Sequence, residues 1–282
     1  GILGRCGINK PNMKTLFLFI PHYVFSSDVL HTDYIKLLSE KYKIIVFSPI
    51  FKFADPKKYF QSPNITYIYM DTKRPNFWLF FNKTLRVSMI REFDNLEYHK
   101  LRALTGKYSN WKRKTLKFIS NLFPSFMTTA DFFSFLERLL LPNYNEFKNY
   151  INKYKPSMVL TCSPGFSDIE AEAIHLCKKN NLQTMAVNFN WDNLYNNANH
   201  IRKTDYLITW NQRAKKTAEK IHGYKPEKVF VGGPLRFDHH FTHGPIKRNE
   251  LERKTFLKNK GLNPELKTIL FTTVPPHIYP FQ

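Results

Sequence analysis

Short apolar runs alternating with amphipathic stretches set the plan of the chain. Leu16–Ile20 is an unbroken apolar run, as expected of a parallel strand buried on both faces. Ser26-Ser27-Asp28 reads as a helix N-cap, after which Leu30, Tyr34, Leu37 and Leu38 share one helical face. Lys43–Phe47 and Ile65–Met70 are the next strands. Strand, helix and strand in so short a space predict a βαβ unit, and with it a parallel sheet.

From Asn76 to Tyr154 the pattern changes to helices rich in Phe, Trp and Tyr, among them Phe132–Leu141 and Glu146–Tyr154. Alternation then returns. Met158–Cys162 is a strand, Ser163-Pro164-Gly165 a turn, and Ser167-Asp168-Ile169-Glu170 a capping box whose helix turns Ile169, Ala173, Leu176 and Cys177 toward a sheet. Thr184–Val187, Tyr206–Thr209 and Val229–Val231 are strands, with a basic helix Gln212–His222 stopped by Gly223. Arg248–Lys260 is a charged helix closed by Gly261, and Thr268–Phe271 opens a fresh strand. The predicted fold is α/β: a Rossmann-like, doubly wound parallel sheet over residues 13–240 with a helical insertion at about 76–154. Residues 241–282 are expected to be a linker and the truncated start of a second, similar domain, and residues 1–12 a leader outside the fold, non-native or disordered.

Charge changes this picture. Lys and Arg number 43 against 22 Asp and Glu, a formal net charge of +21. Such a field attracts phosphates of any kind: nucleic acid, nucleotide-linked substrates or an anionic membrane. The three cysteines, Cys6, Cys162 and Cys177, make no disulfide framework and fit a reducing cytoplasm. The most apolar long stretch, Phe118–Leu141, is broken by Asn121, Pro124, Asp131, Glu137 and Arg138, so no transmembrane helix is expected. A cytoplasmic protein, or one peripheral on the inner face of the cytoplasmic membrane, follows.

Candidate chemistry gathers just past strand ends, where open α/β sheets bind ligands. Trp191, Asp192 and Asn193 follow one strand and suit a polyhydroxylated ligand; the alternative is an Asx turn with a packed Trp. Trp210 and Asn211 follow the next strand. His22, after the first strand, is by residue type a candidate general base, or is a loop-packing histidine. Ser163 and Gly165 lead into a helix N-terminus, an anion site in principle, though they match no nucleotide-binding glycine motif. Gly232, Gly233 and Pro234 make a permissive yet rigid turn, a natural hinge, with Arg236 and Asp238 beyond it. His239, His240 and His243 lack metal-ligand spacing, and no metal is expected. Lys100–Lys117 holds basic residues interleaved with aromatics. Its Lys112, Arg113, Lys114 and Lys117 form a solvated helical face, a contact for anionic lipid headgroups or, third in order, a nucleic-acid contact.

These segments together resemble the N-terminal half of a bacterial GT-B glycosyltransferase of surface-polysaccharide biosynthesis. The likeness rests on IPH after the first strand, NWDNL, YLITWNQ, HGYKPEKVFVGGPLRFD and the restart RNELERKTFLKNKGL, and spans roughly Met13 to Phe271. It implies an acceptor-side domain, a nucleotide-sugar as donor substrate, a glycan or lipid-linked acceptor, and no bound cofactor or metal. His22 becomes the candidate base, the clusters at residues 191–193 and 210–211 with Ser163 and Gly165 become cleft residues, and residues 232–238 become interdomain residues. The half alone is expected to be inactive, and nucleic acid is an unlikely partner. UDP-N-acetylglucosamine 2-epimerases and glycerophosphotransferases share the architecture, so an epimerase is the first alternative. A non-enzymatic basic module binding membrane or nucleic acid is the second.

Overall fold

The computed structural model describes residues 13–71, 145–165, 167–189, 202–220, 222–238 and 250–269, with the isolated positions 118, 135 and 194. The chain divides after Asp238 into two units. The first is built on seven strands in the order β3-β2-β1-β4-β5-β6-β7. They are β1 Thr15–Phe19, β2 Lys43–Ser48, β3 Ile65–Tyr69, β4 Met158–Thr161, β5 Gln183–Val187, β6 Tyr206–Thr209 and β7 Val229–Val231. Every neighbouring pair is parallel. This is the expected Rossmann-like, doubly wound sheet.

Alternation along the strands explains why their sequences are mostly apolar. Leu16, Leu18 and Ile20 of the β1 segment, with Ile44 and Val46 of β2, point to one face. There they meet Val29 and Leu30 of α1 (Tyr23–Leu30) and Ile35 of α2 (Tyr34–Lys41). Phe17, Phe19, Ile45 and Phe47 point the other way. They pack on Phe147 and Ile151 of α3 (Asn145–Tyr154) and on Ile169, Ala173 and Leu176 of α4 (Asp168–Lys179). Period-two side chains in a sheet covered on both faces leave little room for polar residues, so a largely apolar run is the expected pattern, with Ser48, Thr161, Thr184 and Thr209 the small buried exceptions among the described residues. Phe17 and Phe47 meet edge to face with ring centroids 5.0 Å apart. Beyond them, α5 (Gln212–Lys220) covers Ala186, Leu207 and Val229 with Ala214 and Ala218.

The first helix departs from the sequence reading. Ser26 and Asp28 lie inside α1, and the N-cap is His22, held extended after Pro21. The expected single helix is instead two. The hydroxyl of Thr32 donates to the Asp28 carbonyl (2.7 Å) and accepts the Tyr34 N–H (3.3 Å), so a side chain takes over where the backbone ladder would have continued.

In the second unit α6 spans Glu250–Asn259 and ends at Gly261, whose φ of +70° accounts for the glycine. Thr268 and Ile269 are exposed and outside any strand; the rest of the strand expected from Thr268 lies outside the described residues.

Candidate functional site

The strand order reverses between β1 and β4, which places a crevice outside their carboxyl ends. Two loops bound it, Ile20–His22 after β1 and Cys162–Gly165 after β4. His22 is exposed at the head of α1, its Nδ1 accepting the Val24 N–H at 3.4 Å and its ring 4.0 Å from that of Tyr23. A ring that accepts at Nδ1 carries its proton on Nε2 when neutral. Its lone pair therefore lies at the cap, and service as a base requires only that this long, weak bond be given up.

On the β4 side the polar groups turn inward. Glu170, fully buried on α4, accepts the Ser163 N–H (2.9 Å), the Ser163 hydroxyl and the Ser167 hydroxyl (3.0 Å). Burial pushes its carboxyl up to about 7, against the pull of these donors. Ser163, expected in the cleft, is wholly buried and serves to brace its own loop. Gly165, also expected there, is a structural turn. Its φ is +74°, and a Cβ would stand 2.9 Å from the Arg202 Cδ. Arg202 closes the loop from that side, its backbone N–H donating to the Pro164 carbonyl (3.0 Å) and its guanidinium to the Gly165 carbonyl. Gly165→Ala should therefore destabilise the protein by about 2 kcal/mol, measured as a lower urea midpoint with an unchanged m value. At the start of the β4 loop the Cys162 thiol is pushed well up by burial and by the negative fields of Glu170 and Asp28, so it stays protonated and unreactive.

Three strands along, the edge is closed by the segment after β7. Gly232 is required because a Cβ would lie 2.7 Å from the Ile208 Cγ2, and Gly233 because its φ is +83°. The chain then turns through Pro234 into a short 3-10 turn, Leu235–Phe237, and returns to α1. Arg236 meets Asp28 at 2.6 Å, a carboxylate only 1% exposed, and lies 5.9 Å over the Trp210 ring. Phe237 approaches the same ring edge-on at 5.8 Å. Trp210 and Arg236, separate in the sequence, are thus joined with Asp28, whose part in the site the sequence reading missed. Asn211 is committed to structure, its Oδ1 capping α5 by accepting the Ala214 N–H at 2.8 Å. Asp238 is exposed at the end of the unit. Asn188, just past β5, is fully buried, and among the described residues neither amide atom has a hydrogen-bond partner. Trp191, Asp192, Asn193, Lys112, Arg113, Lys114 and Lys117 lie outside the described residues.

A cavity of about 20 Å³ on the opposite face, between β1 and α4, is lined by Phe19, Asp71, Glu146 and Glu172. It has room for about one water, not a sugar. Among the described residues no group of three His, Cys, Asp or Glu side chains is placed to hold a metal ion, and no helix is long and apolar enough to cross a membrane.

No protein-family model matches the chain, and no curated protein matches its sequence. Among solved structures it is similar to a glycosyltransferase from Rickettsia africae ESF-5, with 13% identity over 89% of this chain and 50% of that one, at a TM-score of 0.42. It is also similar to a UDP-N-acetylglucosamine 2-epimerase from Rickettsia bellii, with 14% identity over 89% of this chain and 52% of that one, at a TM-score of 0.39. The chain spans about half the length of these two structures.

Proposed function

We propose that this chain is the acceptor-side part of a GT-B-type glycosyltransferase, moving a sugar from a nucleotide-sugar to a surface-polysaccharide or lipid-linked acceptor. One observation carries the acceptor-side assignment. Both helix N-termini at the switch point, the usual phosphate seats of this topology, are filled by the protein's own side chains. His22 caps α1, and Ser167 caps α4. The turn before α1, Ile20-Pro21-His22, has no glycine to let a pyrophosphate approach the backbone. An uncharged acceptor hydroxyl meets no such objection, and donor recognition is assigned to residues outside the first unit.

In the proposed reaction the acceptor oxygen attacks the anomeric carbon, and the bond from that carbon to the diphosphate oxygen breaks. The nucleoside diphosphate leaves with the bonding pair, and the hydroxyl proton passes to His22 Nδ1 as the ring releases the Val24 N–H. Trp210, with Trp191, Asp192 and Asn193, lines the acceptor side of the cleft. Gly232, Gly233 and Pro234, expected as a hinge, instead turn the chain back within the first unit, and Arg236 holds the segment after them on α1. No cofactor or metal enters this scheme. The same proposal includes peripheral attachment at the inner face of the cytoplasmic membrane, through anionic lipid contacts of Lys112, Arg113, Lys114 and Lys117, which suits a lipid-linked acceptor.

The test uses the full-length protein, a panel of nucleotide-sugars and membrane or glycan extracts as acceptors, with released nucleoside diphosphate as readout. His22→Ala and His22→Asn should both lower kcat/KM by about 10²–10⁴, the range of a lost general base. Asn is a good N-cap, so only the Ala variant should also lose helix stability. Wild-type turnover in His22→Asn would remove His22 as the base. An isomerised nucleotide-sugar formed with no acceptor consumed would replace the transferase with an epimerase.

A further inference from the structure

The segment between β2 and β3 is firmly fixed on its inner side and carries a bare aromatic ring on its outer side. The Ser48 hydroxyl accepts the Ile50 N–H at 3.2 Å, and Pro49 opens a 3-10 turn, Pro49–Lys52. Ile50, Phe51 and Tyr59 pack against the core cluster under α1. Phe51 meets Tyr67 edge-on at 5.5 Å, and the Tyr67 hydroxyl donates to the Phe60 carbonyl at 2.7 Å. A second turn, Pro56–Lys58, is capped by Asp55, whose Oδ1 accepts the Lys57 N–H at 2.9 Å. The Gln61 side-chain amide donates to the carbonyls of Pro56 (2.8 Å) and Tyr59 (2.9 Å). On this support Phe53 is 87% exposed, and Lys52 Nζ stands 5.5 Å from its ring. Lys57 and Lys58 are exposed as well, and Asp55 is the only acidic residue between Pro49 and Phe60.

A large apolar side chain held in water by a fixed loop contributes nothing to the fold that carries it. It gains free energy only when something apolar covers it, and three lysines against one carboxylate ask that the cover be anionic. We infer that the loop Pro49–Phe60 is a membrane hook, in which Phe53 enters the acyl region of an anionic bilayer while Lys52, Lys57 and Lys58 meet lipid phosphates. A single-stranded nucleic acid would instead stack its bases on rings lining a groove, whereas this ring stands clear of the surface. The carboxyl ends of the adjacent strands add exposed Tyr69 at the end of β3 and Tyr23 after β1. The hook leaves β2, the strand beside β1, whose loop carries His22. Membrane and crevice then share one edge of the sheet, where a lipid-anchored acceptor presents its hydroxyl.

The inference rests on the peripheral-attachment part of the reading above and assigns it a surface made of other residues. The test is co-sedimentation of the whole chain with phosphatidylcholine vesicles, with and without about one-third phosphatidylglycerol. Binding is expected to the anionic vesicles alone. Phe53→Ala should weaken it about tenfold, and the Lys52→Gln, Lys57→Gln, Lys58→Gln triple variant about a hundredfold at low salt. All should melt as wild type does, because the replaced side chains are exposed. Phe53→Trp should keep binding, with added emission that shifts to the blue on anionic vesicles. Undiminished binding in Phe53→Ala, equal binding to neutral vesicles, or an oligonucleotide that binds through Phe53 in place of vesicles would each overturn the hook. Binding that survives Phe53→Ala but fails on charge reversal at Lys112, Arg113 and Lys114 keeps attachment and removes the hook. No binding to anionic vesicles by wild type removes both.

Discussion

Arg236→Met is expected to lower the thermal midpoint of the first unit by about 6–12 °C, and adding Asp28→Asn to it should restore most of the loss. The asymmetry follows from burial. Asp28 is 1% exposed and Arg236 about a third exposed, with 2.6 Å between the paired atoms. Removing the cation takes the guanidinium away from this buried carboxylate, which costs about 3 kcal/mol at the low end of the range for broken buried pairs, because water reaches the Arg236 side. For a unit of this size each kcal/mol moves the midpoint by about 2–4 °C. Neutralising both partners removes the buried charge, so the double variant should lie far above the sum of the single ones. Melting curves of the two single variants and the double variant measure that coupling. Additive effects would mean that Arg236 does not hold the segment after the Gly232-Gly233 turn onto α1.

That pair shows what the sequence leaves unread. Its partners are 208 residues apart, and only the path of the chain across seven strands brings them together. No local period encodes such a meeting. The strands were legible for the opposite reason: Tyr206–Thr209 and Val229–Val231 have the expected bounds because a sheet covered on both faces admits apolar residues and little else. Helix α1 was misread because Ser26-Ser27-Asp28 has the composition of a cap while Pro21 and an extended His22 supply the actual one. Ser163 and Gly165 look like an open polar loop in sequence. What turns them inward is Glu170, reaching back seven residues to Ser163, and Arg202, packed over Gly165 from a distant segment. Of the polar clusters past the strand ends, Trp210 keeps its place at the edge because aromatic area, rather than a hydrogen bond, holds it there.

Two buried groups should make stability nearly independent of pH between about 4.5 and 6.5, and single substitutions should expose both limbs. Glu170 has its carboxyl raised by burial from 4.5 to about 7. The native state therefore holds a proton that the unfolded chain releases over this interval, and stability declines as pH rises through 7. His222 is the reverse case. Buried, with its Nε2 2.7 Å from the Leu194 carbonyl, it is lowered from 6.5 to about 4, chiefly by desolvation. Here the unfolded chain takes the proton, and stability present above 6.5 is lost as pH falls toward 4. Each shift is worth about 3 kcal/mol across its window, and the two slopes have opposite signs where the windows overlap. Glu170→Gln keeps an acceptor for the Ser163 N–H and removes the titration. It should gain about 3 kcal/mol above pH 7 and then lose stability steadily from pH 6.5 downward. His222→Gln, with an amide in reach of the same carbonyl, should show stability that rises as pH falls from 7 to 4.5. Urea titrations at half-unit pH steps separate these curves. A wild type whose stability changes steeply between pH 4.5 and 6.5, or a Glu170→Gln variant that follows the wild-type curve, would mean that the Glu170 carboxyl titrates in its ordinary range. The brace on the switch-point loop would then be a plain ion held by three donors, with no proton linked to it near neutral pH.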